Sequence, residues 1–581
     1  MKKYKVVIPV FIIVLFFASF WGYVGFKIIS ILNSRDEMYK YYQIISSKYY
    51  NNFQKEDLRH LDSEFSDYQD LYDVKEYSLK VSFGIPEKKI FGDMTMRSLN
   101  LSDTLNSIYI DLASNLKLNS VKLNGTDARY KRTFDYIIVF SGGEINKNDN
   151  FEIKINYEGI PENKGFDSFN IKKFDEEPAI YTLSEPNYAK TWWPCKDVLT
   201  DKAETDVYIT VPPQLTAVSN GLLEEVINEN DGQKTFHWKS SYPISTYLVS
   251  LAIGKYDKWT DTYSSADGKI QMPVEYYTFP SFTDKAKIDW QNTVSMIKFF
   301  SGKFGEYPFI NEKYGMALFG WVGGAMEHQT ISSMGYTLIT GNGRYEDVVV
   351  HELVHQWFGD AVTPDSWKDI WLNEGFASYG EALWVEHTKG ADAYRDFMKK
   401  SDYGFFMGTV YNPEGYIFGP TVYKKGSWIL HMLRKVVGDG NFFQILREYY
   451  ETYKYKNAST QDFINICRDV SGKDLSYFFD QWIFNGTGRP EYSLSWKYEV
   501  EDISADRYNV NMILKQTQED RDIYSMPLEI MIVTDKGNEV INVYNDSRIQ
   551  EFDHTVTGKP LEVIIDKDNW VLKRIAKEDK N

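Results

Sequence analysis

VVVHELVHQWFG at residues 348–359 and WLNEGFASYGEAL at residues 371–383 decide how this chain is read. The first stretch places His351 and His355 four positions apart, and eighteen residues separate His355 from Glu374 in the second. Residues four apart share one face of an α-helix, so both imidazoles can reach a single cation. Glu352 lies about 100° further round the helix, beside that cation rather than on it. There it can take a proton from a metal-bound water, whose pKa zinc lowers to about 7. Apolar spacing predicts one helix over 346–358 that closes at Gly359, and a second over 373–387 that closes at Lys389-Gly390. A short connection between them can bring Glu374 to the same ion. Two His and one Glu leave a coordination position open for water, the catalytic rather than the structural arrangement. The expectation is one Zn2+ per chain, held by His351, His355 and Glu374, with Glu352 as general base. With eight histidines in the chain, an accidental match to this spacing is expected on the order of once per hundred such sequences. The distal Glu374 removes most of that alternative.

Working outward, 581 residues are too many for one hydrophobic core, and three or four domains are expected. From about residue 77 to 256 the sequence falls into short alternating runs such as FEIKINYEG (151–159), TDVYITVPP (205–213) and TYLVSLAIG (246–254), the texture of half-buried antiparallel strands. From about 265 to 485 the pattern is mainly helical, and past Arg489 alternation returns in YSLSWKYEV and LEIMIVTD. At the N-terminus, Lys2, Lys3 and Lys5 precede an uncharged run over 6–26, long enough to cross a bilayer. It has no small-x-small cleavage site, and Trp21 and Tyr23 suit an interfacial belt. A retained signal-anchor is expected, with a cytoplasmic N-terminus and extracytoplasmic catalytic domains; a cleaved signal and a buried helix are the alternatives. The fold class is therefore multidomain α+β. A transmembrane signal-anchor (1–30) and a polar juxtamembrane spacer (31–74) lead to a large antiparallel β-sandwich or saddle (75–262). A mostly helical catalytic domain (263–488) and a small β-sandwich (489–581) complete it. The net charge of −17 makes nucleic acid an unlikely partner. Two distant cysteines, Cys195 and Cys467, cannot form a disulfide framework.

HELVHQWFG followed by WLNEGFASY resembles the aminopeptidase N family of gluzincin metallopeptidases, and the likeness extends beyond the metal. GGAMEHQT (323–330) looks like that family's exopeptidase signature, SEPNYAKTWWPCKD (184–197) like its N-terminal-domain motif, and VYKKGSW (422–428) like the segment bearing its catalytic tyrosine. The resemblance implies a thermolysin-like catalytic domain acting on peptides with a free N-terminus. It implies Glu327 as principal anchor of the substrate's α-ammonium, Glu185 as the second, and Gly323 and Gly324 as backbone lying along an extended substrate. It implies Tyr423 as the donor to the oxyanion. Each has a plainer alternative: a surface carboxylate for Glu327, an ordinary turn for Glu185, a tight turn for the glycines, a core or surface tyrosine for Tyr423. Glu381, two helical turns after Glu374, is expected to accept a hydrogen bond from a metal-bound imidazole and fix its tautomer; a solvated helix carboxylate is the alternative.

The sequence also departs from the family. His328 stands where relatives most often carry Asn, and is expected to be a structural histidine rather than a ligand. Leu183 occupies a place where many relatives carry Gln, which puts the side-chain preference of the first pocket in doubt. The sequence ends after the small β-domain, without the large helical domain of longer relatives, so a more open site is expected. Two other functions fit the metal motif, a thermolysin-type endopeptidase and a scaffold that kept the fold and lost the chemistry. Epoxide opening, known in one branch of the family, is demanded by nothing in the sequence. All four residues His351, Glu352, His355 and Glu374 being present argues against the scaffold.

Overall fold

The computed structural model describes residues 66–576, apart from residues 405, 414–415 and 520–522. The expected signal-anchor over 1–30 and most of the spacer lie outside the described residues. Among the described residues, no helix is long and apolar enough to cross a membrane.

After a short helix at Ser66–Gln69, Tyr72–Gly84 forms one strand of an eight-stranded sheet and buries mainly alternate residues. Seven further strands between residues 89 and 244 complete it. The sheet is not wholly antiparallel. Tyr72–Gly84 runs antiparallel to Lys89–Asn100 on one side but parallel to Ala203–Val211 on the other, in register from Glu76 opposite Glu204. Parallel neighbours need a long crossover, and more than a hundred residues intervene between these two strands. Sheets of four and three strands pack the same domain.

The catalytic domain is led by a five-stranded sheet in the order Asp257–Ser264, Gln271–Thr278, Tyr314–Phe319, Ser332–Gly335, Ala325–Met326. Asp257–Ser264 straddles the boundary expected at residue 262, and it pairs along its length with Gln271–Thr278. Ala325–Met326 forms the edge and delivers Glu327 at its end. Three helices carry most of the remaining site: α1 (Glu346–His355), α2 (Trp371–Lys400) and α3 (Gly426–Val437). α1 ends three residues before the expected position, because the chain turns at Gly359 with φ +138. A Cβ at Gly359 would come within 3.1 Å of His355 Nδ1. α2 breaks its helical dihedrals at Gly390. Beyond Arg489, sheets of four and three strands form the small C-terminal β domain.

Small residues set how closely these helices approach. A Cβ added to Gly380 on α2 would lie 2.6 Å from Val354 Cγ2 on α1, and one on Gly426 would lie 2.9 Å from Gly375 Cα. The first contact brings α2 against the histidine helix. The second brings α3, and the Thr421–Lys425 turn that leads into it, against Glu374's end of α2. That turn is wider than an α-helical one, a geometry common at functional positions.

Candidate active site

His351, His355 and Glu374 converge. One ligand atom from each lies within 4.8 Å of the others. His351 Nε2 is 3.2 Å and His355 Nε2 3.4 Å from Glu374 Oε2. The opposite ring nitrogens are already used: His351 Nδ1 donates to Glu381 Oε1 at 2.8 Å, and His355 Nδ1 donates to the Phe358 carbonyl at 3.1 Å. Those bonds place the protons on Nδ1 and leave both Nε2 atoms as electron-pair donors. Two imidazole lone pairs facing a carboxylate oxygen repel one another unless a cation stands among them. The donor set of two nitrogens and one oxygen suits zinc. The residues present fit the metal.

The surrounding charge favours a cation as well. Burial opposes charging His351, but the hydrogen bonds and charges of Glu374 and Glu381 outweigh it, so that without an ion a proton would be drawn to Nε2 in its place. Burial alone would raise Glu374, yet the neighbouring His355 and His351 pull it down to about 2. Glu352 is buried beside this group. Burial, with the charges of Glu327 and Glu374, outweighs the two histidines and pushes it up to about 8. Glu381 also accepts from Lys424 Nζ at 3.3 Å, so both its oxygens are held. The orientation of the His351 ring is thereby fixed from behind. Lys424 stood within a motif quoted from the sequence, but only the fold shows that it reaches Glu381.

Tyr423 places its ring nearly parallel to that of His351, 5.8 Å between centroids. Burial, then Glu374 and Glu185, raise its phenol well above 10, so it stays a donor. Glu327 and Glu185 approach from different domains and are 3% and 6% exposed. Each has one oxygen, Oε1, with no hydrogen-bond partner in the chain. Burial first, then Glu327 and Glu374, raises the pKa of Glu185; burial also raises that of Glu327, against the opposing charge of His355. Gly323 and Gly324 lie against the Trp321 indole, whose Cζ2 would be 2.3 Å from a Cβ at Gly323. The glycine pair thus packs on a side chain of its own loop, whatever else it accommodates.

His328 lies outside the metal-ligating group. It is fully buried, its Nδ1 is 2.9 Å from Ser333 Oγ, and burial lowers its pKa to about 3, so it is neutral. Leu183 is buried to 1%. Sequence reasoning passed over Asp360 and Tyr247. Both are fully packed polar residues with unpartnered oxygens beside the acidic group. Asp360 follows the metal motif directly, and Tyr247 lies inside a run read only as strand.

The chain is similar to known proteins over both of its larger domains. Residues 73–248 match the peptidase M1 N-terminal domain and residues 288–482 the peptidase family M1 domain. A solved M1 zinc metallopeptidase from Deinococcus radiodurans is 27% identical, with a TM-score of 0.64 over 71% of this chain and 93% of that one. Among curated proteins, a probable aminopeptidase 2 of Sulfurisphaera tokodaii is 28% identical over 76% of this chain and 57% of its own length. A rat glutamyl aminopeptidase is 28% identical over 81% of this chain and 52% of its own. The chain thus spans little more than half the length of these curated relatives. The fold and the His351–His355–Glu374 centre define a zinc metallopeptidase framework. The chain belongs to peptidase family M1.

Proposed function

We propose that this chain is a zinc aminopeptidase, hydrolysing the N-terminal bond of peptides that carry a free α-amine. The observation that carries this reading is the pair Glu185 and Glu327, buried carboxylates from two domains, each with an unpartnered oxygen beside the metal-ligating group. Two anions set near one point favour a cation and fix its distance from the scissile carbonyl. An endopeptidase has no ammonium to place there.

His351, His355 and Glu374 would hold the zinc. When bound, the metal supplies Lewis acidity, activating water and polarising a carbonyl. Glu352 takes the proton of the attacking water and returns it to the leaving amine. The Tyr423 hydroxyl donates to the oxygen on which negative charge develops, an interaction whose loss typically costs a few kcal/mol of barrier. Glu381 and the Phe358 carbonyl keep both histidines in the ligating tautomer.

The test compares free and N-acetylated versions of one peptide. Glu327→Ala should cut kcat/KM on the free-amine substrate at least tenfold more than on the blocked one, about the worth of one charge-assisted hydrogen bond. Equal losses on the two substrates would reject the amine anchor.

A further inference from the structure

Beside Glu185 and Glu327, two more buried groups lack partners. Both carboxylate oxygens of Asp360 and the hydroxyl of Tyr247 make no hydrogen bond in the chain, although these residues are 0% and 2% exposed. Tyr247 belongs to the Thr246–Leu248 turn, and its ring meets Trp367 edge-on at 5.5 Å. Its position is fixed against the segment that carries Glu327. The Asn220 side-chain amide donates to the carbonyls of Leu248 at 2.9 Å and Gln329 at 2.7 Å, joining the two stretches. Gln356 Nε2 donates to the Glu327 carbonyl at 3.2 Å. Asp360 is held by Lys202 Nζ, which donates to its carbonyl at 2.8 Å and to that of Ala361 at 3.0 Å. Burial, then Glu327, Asp360, Glu185 and Glu374 in that order, raise the Tyr247 phenol well above 10. It therefore keeps its proton.

Leaving a buried polar group unpaired costs about 1–3 kcal/mol. Several such groups around one point call for a ligand that brings several donors. An ammonium brings three N–H bonds. Glu327 and Glu185 accept two of them. Leu183, buried and apolar, accepts none. We infer that Tyr247 is a substrate-binding residue, its hydroxyl oxygen accepting the third N–H of the α-ammonium, with the unpartnered Asp360 carboxyl as a further acceptor in the same pocket. This rests on the aminopeptidase reading and adds two residues, one from each domain, to the amine pocket.

The test uses two inhibitors, leucine hydroxamate and its counterpart lacking the amine. Both chelate the metal alike, so the ratio of their inhibition constants reads the amine pocket alone. Tyr247→Phe removes one oxygen and keeps the contact with Trp367. It should lower the preference for the amine-bearing inhibitor about tenfold, the loss of one hydrogen bond to a charged group. KM for free-amine peptides should rise by a similar factor, with kcat within about threefold. Asp360→Ala should lower the ratio in the same sense, while Asp360→Asn, which keeps an acceptor, should restore most of it. An unchanged ratio in a natively melting Tyr247→Phe protein overturns the inference. Should that variant not fold, an unchanged ratio in Asp360→Ala does so. Glu327→Ala separates the two levels. If it abolishes the preference and Tyr247→Phe does not, only this inference fails; if neither changes it, the aminopeptidase reading fails too.

Discussion

Glu352 shares its helix with both histidine ligands but faces another way, and that difference of about 100° separates a base from a ligand. Glu352→Gln keeps the size and polarity of the side chain and touches none of the three ligand residues. The variant should retain its zinc and lose at least about a hundredfold in turnover, the usual worth of a general base. Single-substrate kinetics beside metal analysis would check it, and near-normal turnover would discredit the assignment. At this scale the sequence was very legible. His351, Glu352 and His355 are related by one helical turn, and Glu374 and Glu381 by two, so local periodicity orders each set on its own helix but does not set one helix against the other. Tyr247 and Asp360 were illegible for the opposite reason. Their surroundings come from segments more than a hundred residues apart in the chain, and neither residue carries a spacing that signals this.

The helices bring the ligands together only because glycines remove side chains where they touch. Gly426 and Gly375 are nearly in backbone contact, and a Cβ on the former would sit 2.9 Å from the latter's Cα. Gly426→Ala gains up to about 1 kcal/mol of helix propensity. It costs about 1–3 kcal/mol in overpacking against backbone that cannot rotate away. The net effect should be destabilising, seen as a lower denaturation midpoint. Turnover should fall with it, since the turn bearing Tyr423 is pushed from Glu374. An unchanged midpoint and rate would mean the helices separate freely. Element boundaries were less legible than ligands. The strand Asp257–Ser264 is exposed along most of its length, so no apolar alternation marked it as part of the catalytic sheet. The parallel pairing of Tyr72–Gly84 with Ala203–Val211 was likewise hidden, because alternation reads the same in either direction.

The whole molecule matters because the proposed amine pocket is shared between domains. Glu185 and Tyr247 come from the N-terminal β region, Glu327 and Asp360 from the catalytic domain, and Lys202 reaches from the former to the latter's backbone. Lys202→Met removes two hydrogen bonds at that seam, from an amine whose pKa burial lowers to about 7. The chain should lose about 2 kcal/mol of stability and become less selective for free-amine peptides, while the metal, held wholly within the catalytic domain, stays. Denaturant titration and the free-to-acetylated rate ratio would read the two effects. Loss of metal instead would place Lys202 in the wrong role. The order of domains was readable from shifts in periodicity. The seam was not, because a lysine side chain crossing between domains leaves no mark on any local pattern.

The claim on which the rest depends is that His351, His355 and Glu374 hold one zinc ion. Metal content of the purified chain, determined by mass spectrometry beside a Glu374→Ala variant, tests it most directly. The account predicts about one zinc per chain, as two imidazoles and a carboxylate converging on one point require, and a large loss of that zinc in the variant. A chain with no stoichiometric transition metal, or a variant that binds zinc as tightly as the native protein, would contradict it.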